Sequence, residues 1–110
     1  MKKSLTFRHM EHSPILENYV NDQLAKLEKF LESEPTPVFL NVVLEADPRR
    51  SLNFGEIILK TPHYNIVSRY EAPDMYDLID RIVDVTYKKV LAKKKERVDE
   101  RKKADSYKGA

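Results

Sequence analysis

Hydrophobic and polar positions alternate from the start of the chain. In KSLTFRH, Leu5 and Phe7 fall on one side and Ser4, Thr6 and Arg8 on the other, which predicts a half-buried strand. Ser13-Pro14 then reads as an N-cap followed by a first helical residue, where proline lacks an N–H that would be orphaned anyway. Leu16, Tyr19, Val20, Leu24, Leu27 and Leu31 follow at steps of three or four, so a helix is expected over about 14–32. SEPTP ends it, because its two prolines cannot continue a helix.

VFLNVVLEA returns to a period of two, with Val38, Leu40, Val42 and Leu44 on one face. DPRRS is turn chemistry. LNFGEIILKT and HYNIVSRYEA read as two further strands joined by a short turn around Pro62-His63. Gly55, inside the first of them, predicts a bulge or a close backbone contact. Asp74 is placed to cap a last helix whose buried face is Met75, Ile79, Ile82, Val83, Thr86 and Val90, with Leu78 at its edge. Asp77, Asp80, Arg81 and Asp84 fall on the outward side, and Asp84 precedes Lys88 by one turn in the favourable order. The element order is thus strand, helix, three strands, helix, without a repeat or a linker.

The last helix has more length than core. Helical steps beyond Val90 reach Lys93, Arg97 and Glu100, and an unpaired buried charge costs several kcal/mol. The helix is therefore expected to leave the sheet near Leu91 or Ala92. About 30 helical residues span roughly 45 Å, against about 30 Å for a nine-residue strand. The final turns are expected to stand in solvent with basic groups all round.

Charge adds a second asymmetry. The 110 residues carry a net charge of only +2, yet from Lys88 onward ten Lys/Arg stand against four Asp/Glu. The residues before Lys88 hold the other ten basic and fourteen acidic groups, so the chain is electrically two-faced. On the first helix Lys26 and Lys29 share one exposed edge, while Glu17, Glu28 and Glu32 occupy another. With the two helices side by side, the lysine edge would join the basic end of the last helix. Such a strip suits a polyanion, whose counterions are released on binding. Cations also favour helix C-termini and aid solubility, which is the plainer origin of a basic helix end.

Composition narrows the chemistry. At this length one domain is expected, with 41% hydrophobic and 35% charged residues for a compact core under a charged surface. No cysteine is present, which excludes disulfides and thiolate chemistry. No apolar run long enough for a signal peptide follows Lys2 and Lys3, and none approaches the roughly 20 residues of a membrane span, so a cytoplasmic location is expected. His9 and His12 in HMEH lack zinc-protease spacing and, like His63, read as surface residues, with donation to phosphate as the alternative role for His9; no metal site is expected. Asp77, Asp80 and Asp84 read as a solvated helix face rather than as acid/base groups. Gly55 and Gly109 are too few for a phosphate-binding loop, and Tyr64 and Tyr70 read as core or cross-strand aromatics rather than base-stacking platforms.

Two longer phrases, FRHMEHSPILENYVNDQLAKLEKF and YEAPDMYDLIDRIVDVTYKKVLAKKKE, resemble the family of ribosome hibernation-promoting factors and ribosome-associated inhibitor A (protein Y), in its short form. The likeness runs from about residue 3 to 103 and is most specific at DMYDLID. It implies an α+β fold, a two-layer β-α-β-β-β-α sandwich. A four-stranded sheet would carry two helices on one face, similar to double-stranded RNA-binding domains. It assigns residues 1–104 to a ribosome-binding domain and 105–110 to a short C-terminal tail.

The implied role is non-enzymatic and needs no cofactor or small-molecule substrate. Such a protein binds rRNA in the decoding region of the small ribosomal subunit, blocks messenger and transfer RNA, and stores idle ribosomes. Other ribosome modulation factors are further partners, and no membrane is involved. The RNA-binding residues expected are Arg8, Lys26, Lys29, Lys88, Lys89, Lys93, Lys94, Lys95, Arg97 and Arg101. The chain departs from the family's pattern at His63 and Tyr64, where glycine is common, and at Val85, where lysine is usual. A protein-binding adaptor, holding an acidic partner on the basic helix or a strand on a sheet edge, is the alternative.

Overall fold

A computed structural model describes the backbone of residues 1–108 and the side chains of residues 1–98. The elements are β1 (Lys2–Arg8), α1 (Pro14–Leu31), β2 (Phe39–Asp47), β3 (Leu52–Lys60), β4 (Asn65–Ala72) and α2 (Met75–Lys108). The fold is α+β, in the order expected from the sequence. The four strands lie side by side in chain order, β1 parallel to β2 and the other neighbours antiparallel. Only the parallel pair needs a long crossover, and α1 supplies it.

Both helices cover one face of the sheet. The Ser13 hydroxyl accepts the amide hydrogen of Leu16 at 3.2 Å, with Pro14 opening α1, and Asp74 Oδ1 accepts that of Asp77 at 3.0 Å at the start of α2. Val20, Leu24, Leu27 and Leu31 of α1 then meet Leu40, Val42 and Leu44 of β2, Ile57 and Leu59 of β3, and Leu78, Ile79, Ile82 and Val90 of α2 in one core. Leu78, placed by its spacing at the edge of the α2 face, is instead fully buried. The reason is Gly55. With no side chain there, α2 comes close enough to β3 that an added Cβ would lie 3.3 Å from Ile82 Cδ1 and 3.4 Å from Leu78. The strand register runs through Gly55 without a bulge, so its role is close approach. Thr86 is the one fully buried hydroxyl of α2 among the described residues; its Oγ1 lies 2.8 Å from both Ser68 Oγ and the Ile82 carbonyl, so neither group is stranded.

β4 begins at Asn65 rather than at His63, because the preceding residues close a turn. Thr61 Oγ1 accepts from the amides of His63 and Tyr64, each at 3.1 Å, and the Thr61 amide donates to the Tyr64 carbonyl at 2.9 Å. That turn directs the Tyr64 ring into the body of the protein, where it is 7% exposed.

Candidate nucleic-acid interface

The sorted charges of α1 acquire a direction once α2 is beside it. Tyr19 packs edge-on against Tyr76 and Phe30 against Tyr87, with ring centroids 4.9 and 5.4 Å apart. Tyr19 also donates its hydroxyl hydrogen to Asp80. These contacts set the lysine side of α1 toward α2: Lys26 lines the interhelical groove with Gln23, Asp80, Asp84 and Tyr87. The opposite edge faces β1, where Glu28 pairs with Lys3 at 2.7 Å. Lys29, one turn beyond Lys26, is exposed.

Along α2 the exposed stripe changes sign. Asp77 and Arg81 are paired through bonds of 3.0 Å, and Asp84 holds Lys88 at 3.0 Å in the i,i+4 arrangement. Lys88 and Lys95 are seven residues apart, two helical turns, and both are exposed on the stripe facing away from the sheet. Lys26, Lys29, Lys88 and Lys95 are therefore among the outward cations of the helical layer.

The other expected contacts are distributed differently. Lys89 leans over the free edge of β4 and donates to the Val67 carbonyl at 2.7 Å, covering an edge acceptor. Lys93 is exposed and lies 3.5 Å from Glu96. Arg8 sits on the uncovered face of the sheet with Glu45, Glu56, Arg69 and Glu71, on the opposite side from the helices. It cannot share one phosphate surface with the helical lysines, since the alternation that buries Leu5 and Phe7 turns Arg8 the other way. Arg101 lies outside the described side chains.

Lys94 and Arg97 correct the expectation that α2 departs at Leu91 or Ala92 with cations all round. Val90 is fully buried and the next positions on its face are Lys94 and Arg97, both partly buried against the segment joining α1 to β2. Lys94 Nζ donates to the Phe30 carbonyl at 3.0 Å and to Ser33 Oγ at 3.1 Å, and lies 4.0 Å from the centre of the Phe30 ring. Both cations reach the same carboxylate: Lys94 is 3.5 Å and Arg97 3.7 Å from Glu34, whose side chain is only 2% exposed. Buried charge is tolerated here because it is paired. Tyr64 completes the group by donating its hydroxyl hydrogen to Glu34 Oε1 at 3.1 Å. Burial, then this bond, push the Tyr64 pKa well above the usual phenol range. Sequence reasoning passed over Glu34; its only trace there was a carboxylate between Ser33 and Pro35, in a segment recognised for stopping a helix.

A family model described as sigma 54 modulation protein / S30EA ribosomal protein matches residues 4–99. Among solved structures, the chain is similar to the N-terminal domain of Protein Y from Thermus thermophilus, with 26% identity, a TM-score of 0.69, and coverage of 82% of this chain and 96% of that one. It shares its fold with a ribosomal subunit interface protein from Coxiella burnetii, with 16% identity, a TM-score of 0.69, and coverage of 86% and 98%.

Proposed function

The chain belongs to the sigma 54 modulation protein / S30EA ribosomal protein family, and from that membership we propose that it is a ribosome-associated translation inhibitor and hibernation factor. It binds rRNA in the decoding region of the small ribosomal subunit, excludes messenger and transfer RNA by occupying their space, and keeps idle ribosomes in store. It acts in the cytoplasm, without catalysis, alone or beside other ribosome modulation factors. No helix among the described residues is long and apolar enough to cross a membrane.

One observation carries this reading: Lys26 and Lys29 of α1 and Lys88 and Lys95 of α2 are exposed on the same helical layer, with Lys26 turned toward α2. Structured RNA has a deep, narrow major groove that resists side-chain readout, but its phosphates are closely spaced. Cations on two rigid helices can follow that backbone without reading sequence. Occupancy alone then suffices for inhibition.

Co-sedimentation tests the proposal. The protein is expected to travel with isolated small subunits at low salt and to leave them as salt rises. Recovery only in the light fractions at low salt would reject it and turn attention to an acidic protein partner.

A further inference from the structure

The Glu34 site has the donor set of an anion-binding site, and it is filled from within the chain. Two cations, Lys94 and Arg97, and the Tyr64 hydroxyl converge on one carboxylate that solvent barely reaches. The Lys94 ammonium is further tied to the Phe30 carbonyl and Ser33 Oγ. Glu34 Oε2 has no hydrogen-bond partner, only Arg97 Nη1 at 3.7 Å, so the carboxylate holds that guanidinium by charge rather than by geometry. Lys88 and Lys95, on the same helix, point away from this site and are exposed.

We infer that Glu34 is an intramolecular stand-in for a phosphate group: it occupies Lys94 and Arg97, fastens the basic part of α2 to the segment after α1, and withholds these two cations from RNA. The inference rests on the ribosomal reading above and divides its basic residues into two sets. Lys95, with Lys26, Lys29 and Lys88, meets phosphate. Lys94 and Arg97 position the helix that carries Lys95.

Salt dependence separates the sets, because each phosphate contact contributes about 0.7–0.9 to the slope of log affinity against log salt. Binding to isolated small subunits is measured between 50 and 200 mM salt for the unaltered protein and for Lys95→Met, Lys94→Met and Glu34→Gln. Lys95→Met is expected to make the loss of affinity across that range about threefold smaller, whereas Lys94→Met leaves it unchanged. Glu34→Gln removes the charge that occupies the two cations, so Arg97, or Arg97 and Lys94 together, reach phosphate and the loss becomes roughly three- to tenfold larger. Amide exchange, read without RNA, is expected to quicken in residues 91–97 of Glu34→Gln while residues 78–90 keep their protection.

Lys94→Met flattening the salt dependence as much as Lys95→Met overturns the inference. So does a Glu34→Gln protein whose exchange or salt dependence matches the unaltered one. Should Glu34→Gln fail to fold, the Lys94 and Lys95 variants decide alone. Absence of binding by the unaltered protein sinks the ribosomal reading instead, and amide exchange then judges the fastening by itself.

Discussion

Tyr64 and Glu34 are joined by a 3.1 Å hydrogen bond across two loops, 30 residues apart in sequence and both almost sealed from solvent. A buried carboxylate that loses a donor keeps its desolvation cost. Tyr64→Phe is therefore expected to destabilise the fold by about 1–3 kcal/mol, read by denaturant unfolding, although the ring still fits. An unchanged midpoint would show that Lys94 and Arg97 satisfy Glu34 without it.

The phenols also predict behaviour at high pH. The hydrogen bond to Asp80, above all, pushes the Tyr19 pKa from 10.0 up to about 12, and burial pushes Tyr64 higher still. The folded state thus holds both protons more tightly than the unfolded chain. Their stabilising contribution is complete below pH 10 and fades as pH rises through 12. Absorbance titration should find two tyrosines that ionise at higher pH in the folded protein than in the unfolded chain. A protein with Tyr19→Phe and Tyr64→Phe should lose less melting temperature between pH 9.5 and 12 than the unaltered one.

Gly55 faces Ile82 and Leu78 at distances a methyl group barely tolerates. Gly55→Val is expected to cost about 1–3 kcal/mol by overpacking. Adding Ile82→Val should return part of that cost, because the two sites share one space. Strict additivity in a double-mutant cycle would contradict the close approach.

Ile82→Ala without a change at Gly55 opens a cavity under the middle of α2 and should cost about 2–5 kcal/mol. Chemical unfolding measures the loss. Ribosome binding per folded molecule should stay level, because Ile82 is 1% exposed and contributes nothing to the helical surface.

Reversing Lys26 and Lys29 to glutamate is expected to weaken small-subunit binding at 100 mM salt at least tenfold, with the melting temperature held within about 2 °C. Both residues are exposed and away from the core, where surface changes typically stay within about 0.5 kcal/mol. A large fall in melting temperature would give these lysines a structural role instead.

What could be read in advance follows the range of the forces involved. Ser13-Pro14, Asp74 and the stripes of α1 and α2 act within one or two helical turns, so local spacing reveals them. Gly55 announced a bulge or a close approach without deciding between them; the unbroken register and the nearness of Ile82 and Leu78 decided it. The lysine edge of α1 was legible as an edge, while the aromatic pairs Tyr19–Tyr76 and Phe30–Tyr87, which turn it toward α2, join residues 57 apart. Lys94 and Arg97 read as free cations because their shared partner, Glu34, lies 60 and 63 positions upstream, in a segment legible only as a helix stop. Grouping Arg8 with the helical lysines followed charge and neglected the alternation that sends it to the other face.

The overrun of α2 also governs how the molecule moves through a solvent. Its radius of gyration is 16.7 Å and its extents are 62 × 25 × 17 Å, whereas a compact chain of this length has a radius near roughly 13 Å. Friction on such a rod-like particle exceeds that on a sphere of equal mass. A gel-filtration column calibrated with spherical standards will therefore overstate the 12.9 kDa of a single copy. Early elution is therefore no sign of a second copy by itself, and light scattering, which weighs particles regardless of outline, separates an elongated single chain from a pair.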